Sequence, residues 1–140
     1  MADPFNLDRF VSAQAAVFPR VLEELQAGEK RSHWIWFIFP QMKGLGHSSQ
    51  SEYYGIGSME EAAAYLRHPV LGPRLRQCTQ LVTQVEGRAI SRILGYPDDL
   101  KFRSSMTLFA CAVPENPVFQ EALRKYFNGE LDPLTLALLG

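Results

Sequence analysis

The apolar positions of this chain fall into a succession of helical stripes. Leu7, Phe10, Val11, Phe18, Val21, Leu22 and Leu25 recur at the spacing of an amphipathic helix, with Asn6 placed to cap it and Gly28 to stop it. Pro19 lacks an amide proton and crowds the preceding turn, so the stripe predicts two helices or a kink near Phe18. Glu29, Lys30 and Arg31 then read as a solvated connector. Farther along, Ser58-Met59-Glu60-Glu61 has the form of a capping box, and the helix it opens stops at His68-Pro69. Leu75, Cys78, Leu81, Val82 and Val85 make the buried stripe of a helix expected to begin at Pro73 and to end before Gly87. Residues 89–94 suit one more short turn or helix before Gly95. Tyr96-Pro97-Asp98-Asp99 is a helix start, because proline and acidic side chains both suit a first turn. On that helix Phe102, Met106, Phe109 and Val113 share one face, while Asp98, Lys101, Ser104 and Ser105 share another. Asn116-Pro117 opens a helix burying Phe119, Leu123 and Phe127, and Asp132-Pro133 opens a last leucine-rich turn.

Residues 32–55, SHWIWFIFPQMKGLGHSSQSEYYG, break the pattern. The apolar run 34–39 has strand propensity, yet no second strand is visible to pair with it. A helix satisfies its own backbone, so the run is expected to be a short helix with Trp36 buried, capped by Ser32 and ended by Pro40. Gly44-Leu45-Gly46 is a turn, and residues 48–54 suit a further short helix closed by Gly55. With every convincing segment helical, the expectation is an all-α fold: a single compact multihelical domain over residues 1–140, built of about seven to nine mostly short helices.

Composition narrows the classes of function. At 140 residues, 46% hydrophobic and 21% charged, the chain has ordinary globular usage. Fourteen basic against fifteen acidic side chains leave no surplus to neutralise a phosphate backbone, so no nucleic-acid partner is expected. The apolar runs are too short to span a membrane, and MADPFNLDRF lacks the basic-then-apolar pattern of a signal peptide. A cytoplasmic protein without a membrane partner is expected. Cys78 and Cys111 sit among apolar neighbours and read as core thiols.

The polar residues inside the apolar stretch carry the candidate chemistry. Gly44, Gly46, Ser48 and Ser49 can cradle an anion through backbone amides and hydroxyls, or form a plain turn. Lys101, Ser104 and Ser105 would add a cation and two donors if their helix packs beside that turn, or form a solvated face. His33 could move protons if Asp98 orients it, or simply donate to a backbone carbonyl. Trp36 and Tyr54 could stack on a planar ring, with Gln41 nearby, or pack as core. His33, His47 and His68 are scattered without ligand spacing, so no metal is expected, and no cofactor motif is present.

Several of these elements occur together in one known family. AQ at Ala13-Gln14, EL at Glu24-Leu25, SHWIWFIFPQ at 32–41, GLG at 44–46, YG at Tyr54-Gly55, PDDLKFRSSMTLF at 97–109 and YFNGELDPLTL at 126–136 resemble the bacterial family known as domain of unknown function 1810. The similarity runs over almost the whole chain in the same order, with slight departures at Lys43, His47 and Pro73. It implies a compact all-helical domain and no particular activity, catalytic residue or cofactor. Two functions remain to be separated. One is a small-molecule-binding protein or enzyme acting on a phosphate-bearing metabolite, nucleotide or ADP-ribose-like. The other is a non-catalytic helical interaction module whose polar residues form a structural buried network.

Overall fold

Pro19 does divide the N-terminal stripe, giving α1 (Asp8–Ala15) and α2 (Phe18–Ala27). The computed structural model describes residues 3–140. Asp3, rather than Asn6, caps α1: its carboxylate accepts from the Leu7 and Asp8 amides at 2.8 and 3.0 Å. Asn6 is instead in the left-handed region at φ 52°, which asparagine tolerates better than most residues. The stop at Gly28 is as expected. At φ 72° its amide donates to the Glu24 and Leu25 carbonyls, closing α2 with a left-handed cap.

In the connector after Gly28 the Glu29 and Arg31 side chains are solvated as expected, but Lys30 is not. The Lys30 side chain is only 6% exposed, its ammonium lying 2.8 Å from Asp98 and 5.0 Å from the centre of a Trp34 ring. Residues 34–39 do form a helix, but only the single turn α3 (Ile35–Ile38). Ser32 does not cap it, because its hydroxyl is given to Glu24, and Trp34 precedes the turn with no side-chain cap. The two tryptophans also differ from expectation: Trp34 is 1% exposed, whereas Trp36 is only partly buried. Trp34 lies just ahead of the turn and Trp36 within it, so the two rings meet different surroundings.

After a loop that carries α4 (Ser49–Tyr53), the chain continues as α5 (Met59–Arg67), α6 (Leu71–Gln84), α7 (Ile90–Ile93), α8 (Asp98–Ala112), α9 (Pro117–Phe127) and α10 (Pro133–Leu139). Among the described residues there are ten helices, seven of them at least seven residues long, and no strand. The all-α reading holds. Ser58 accepts from the Glu61 amide as a capping box requires, and Glu61 reaches back one residue farther, to the Gly57 amide. Helix α6 begins at Leu71, ahead of Pro73, which sits in the first turn where amides have no intrahelical acceptor. No helix among the described residues is long and apolar enough to cross a membrane.

Helix α8 is the axis, packed by α3, α5, α7, α9 and α10. It therefore buries polar as well as apolar residues, including Ser104, Ser105 and Thr107 beside Phe102, Met106 and Phe109. Surrounded in this way, its hydroxyls must find partners inside the protein. Ser104 donates to the Leu100 carbonyl and to Asp132 at 2.9 Å, and Thr107 Oγ1 accepts the Asp132 amide at 2.9 Å. Asp132 in turn caps α10 by accepting from the Thr135 amide and hydroxyl. Below this bolt, Phe39 meets Phe102 edge-on at 4.9 Å and Phe10 meets Tyr65 at 5.0 Å. In α10 only Thr135 is buried, and Leu134, Leu136 and Leu138 remain exposed.

Candidate functional site

The glycine and serine stretch forms a closed loop whose ends, Met42 and Ile56, meet in a parallel bridge. Lys43 donates to the Ile56 carbonyl at 2.8 Å and Ile56 donates to the Gln41 carbonyl at 2.9 Å. Gly46 is required sterically, since a Cβ there would lie 2.3 Å from Ser51 Oγ. Gly44 is required by its backbone, at φ 103°. Within the loop, Ser48 caps α4 by accepting the Ser51 amide, and its hydroxyl also bonds Ser51 Oγ at 2.9 Å. The expected short helix is thus present, with none of its residues buried.

Helix α4 borders two spaces. Ser49, Glu52 and Tyr53 look onto an open cleft of about 800 Å³ whose other walls include Asn6, Arg9 and Lys43. Ser51, with Tyr54 just past the helix end, borders a separate cavity of about 10 Å³ shared with Trp36 and Gln41. Arg9 supports the open cleft without being free in it. Its guanidinium donates to the carbonyls of Phe5, Asn6, Tyr53 and Gly55 and to Glu61 at 2.8 Å, using the five donors an arginine has. Lys43 is exposed and forms no ion pair among the described residues. The Tyr53 ring is 55% exposed and stands edge-on to Tyr54 at 4.8 Å. The cleft therefore offers one uncommitted cation and one available aromatic face.

Of the residues singled out from sequence, Trp36, Gln41 and Tyr54 line the small cavity, Ser49 lines the open cleft, and Gly44, Gly46 and Ser48 shape the loop between them. Lys101 lies with its ammonium 5.1 Å from the centre of a Trp36 ring. Ser105 is fully buried and its hydroxyl has no partner within the protein, while Ser104 is turned away to Asp132. His33 is exposed. Asp98 is held by two lysines, Lys30 at 2.8 Å and Lys101 at 3.6 Å, so its carboxylate is engaged by cations rather than by an imidazole. Because Lys30 keeps the short contact, Lys101→Met is expected to change stability by no more than about 1 kcal/mol, read from thermal melts. A larger loss would mean that Asp98 depends on Lys101.

Arg9 and Lys43 carry no pattern signal. Arg9 is one polar position beside the α1 stripe, and three of its five partners, Tyr53, Gly55 and Glu61, come from segments that are distant in sequence. Lys43 stands out only once the loop is closed and its ammonium is seen to be unpaired. The thiols are not part of either space: burial pushes Cys78 up to about 12 and raises partly buried Cys111 as well. No group of three or more His, Cys, Asp or Glu side chains suited to a metal ion occurs among the described residues.

The structure defines a class: a multihelical domain built round one central helix, with a closed glycine- and serine-containing loop over its tryptophan-rich turn. The chain belongs to the family described as protein of unknown function (DUF1810), whose model matches residues 4–139. Its fold is similar to that in a crystal structure of the conserved hypothetical protein Rv1873 from Mycobacterium tuberculosis, 59% identical, with a TM-score of 0.97 and 98% of each chain covered. No curated protein matches the chain.

Proposed function

We propose that this protein binds a phosphate-bearing small molecule, of nucleotide or ADP-ribose-like kind, in the open cleft beside α4. The observation that supports this most is the coincidence of the 800 Å³ cleft with the loop whose composition suits anion binding, and with the unpaired Lys43 ammonium. A concave site with a few convergent polar groups is the usual form of a small-molecule pocket. In this reading Lys43 and Ser49 receive the phosphate and the exposed Tyr53 ring stacks on the planar part. Neither His33 nor Asp98 lines the cleft, so the reading is one of binding and assigns no proton transfer.

Thermal-shift measurements with AMP, ADP, ATP and ADP-ribose test it. A ligand at 100 times its Kd should stabilise the protein by about 2.7 kcal/mol. Lys43→Met should melt within about 0.5 kcal/mol of wild type without ligand, being an exposed position, and lose that stabilisation. Failure of every phosphorylated compound to raise the melting temperature would overturn this reading. The alternative, a non-catalytic interaction module, is supported by the polar groups that are fully used inside the fold. Arg9 spends five donors on structure, and Glu24 and Asp132 each accept several bonds from neighbouring segments.

A further inference from the structure

We propose that the cavity beneath α4 is a structural water site, in which one ordered water accepts from the Trp36 indole N–H and bridges it to Gln41 and Ser51. Trp36 Nε1 is a buried donor with no partner within the protein. Such a group is costly in a native fold, and most are satisfied by protein or by ordered water. The neighbouring indole shows the usual outcome, for Trp34 Nε1 donates to Glu24 at 2.9 Å. Trp36 has no carboxylate within reach of that kind, but it faces a cavity of about 10 Å³. That is about the smallest space, roughly 10–15 Å³, that holds a water, and it is too small for any organic ligand.

The lining supplies the two or more polar partners such a water needs. Gln41 shares the cavity, and among the described residues its side-chain amide makes no hydrogen bond. Ser51 Oγ, also in the lining, bonds only Ser48 Oγ and retains hydrogen-bonding capacity. Ser105 Oγ, the other unpartnered buried atom, does not line this cavity and is not part of the site. The consequence is mechanical. Helix α4 has no buried residue and is tied at its C-terminal end by the Arg9 bonds to the Tyr53 and Gly55 carbonyls, so the water adds a second polar tie, from its inner face to α3, in which Trp36 acts as a positioning residue. Ser49 and Tyr53 stand on the opposite face, so the same tie fixes the wall of the open cleft. The inference concerns the ligand-free protein and stands whether or not that cleft binds a metabolite.

Trp36→Phe keeps an aromatic ring and deletes the donor, and Gln41→Leu deletes the opposite partner. The expected crystal structure of the wild type has one water oxygen about 2.7–3.2 Å from Trp36 Nε1. In hydrogen exchange, the amides of residues 51–55 should exchange about tenfold faster in each variant while those of α8 are unchanged, the signature of local rather than global loosening. The double variant should be no faster than either single one, because both substitutions remove the same water. A cavity without water density, wild-type exchange in the variants, or independent effects that multiply in the double variant would each overturn the proposal. Should Trp36→Phe fail to fold, the crystal structure and Gln41→Leu still decide it.

Discussion

Trp34→Ala is expected to destabilise the protein by about 3–5 kcal/mol, the range for deleting a large buried aromatic side chain. The ring is buried and makes two polar interactions. It is 1% exposed, its N–H donates to Glu24 at 2.9 Å, and the Lys30 ammonium sits 5.0 Å from a ring centre. Truncation leaves a cavity that the surrounding helices cannot fully close, and it removes a donor from a buried carboxylate. Trp36→Ala should cost less, about 1–2 kcal/mol, because Trp36 is only partly buried and correspondingly less apolar surface leaves water when the chain folds. Urea denaturation of both variants checks the order. Equal losses would mean that the two rings are buried alike, contrary to the structure.

A second large effect is expected in acid. Burial pushes the Glu24 carboxyl up, but hydrogen bonds from Ser32, Arg31 and Trp34 outweigh it, so the group falls from an ordinary 4.5 to about 2. The side chain accepts the Arg31 amide at 2.7 Å, the Ser32 amide at 3.0 Å and the Trp34 indole at 2.9 Å, and the Ser32 hydroxyl besides. Since the folded value lies below the unfolded one, the unfolded chain takes up the proton first as pH falls. The stabilisation is therefore complete above about pH 5 and lost progressively as pH approaches 2. Taken whole the shift corresponds to about 3 kcal/mol, an upper bound because Glu24 also borders an open hollow with Arg20, Arg31 and Ser32 where solvent screens it. Glu24→Gln should be less stable than wild type at neutral pH, because its amide nitrogen cannot accept from these donors. It should also lose less than wild type between pH 5 and pH 2, by up to about 3 kcal/mol. Parallel pH profiles for the two proteins would show that Glu24 is not the titrating group.

The same carboxylate shows where sequence reasoning stopped. Glu24 belongs to the polar side of an amphipathic stripe and reads as surface, yet its chain position one turn before Gly28 lets the connector fold back over it. Lys30 misleads in the same way. A run of three charges suggests solvation, but a long lysine stem can lie along an apolar ring while its ammonium reaches an acid that sequence places far away. The polar face of α8 was legible as a face and not as an environment. Period shows that Lys101 and Ser105 lie one turn apart, whereas only the packing of α10 shows that Ser104 is taken by Asp132.

Local signals determined most of the helical elements, though not every start, since Asn6, Ser32 and Pro73 do not mark the beginnings of α1, α3 and α6. Proline at 19, glycine at 28, 55 and 95, serine at 58 and the Tyr96-Pro97-Asp98-Asp99 start act within one or two turns, and the stripes between them record which side is apolar. The similarity carried by the HWIWFIFPQ and RSSMTL segments placed the chain in its family on the same local evidence. The tertiary structure decided the rest: which tryptophan is buried, which lysine is paired, and which side of α4 faces an open cleft. Each of those outcomes depends on contacts between segments many residues apart. No periodicity encodes them, because burial and ion pairing are properties of what packs against a face and not of the face alone.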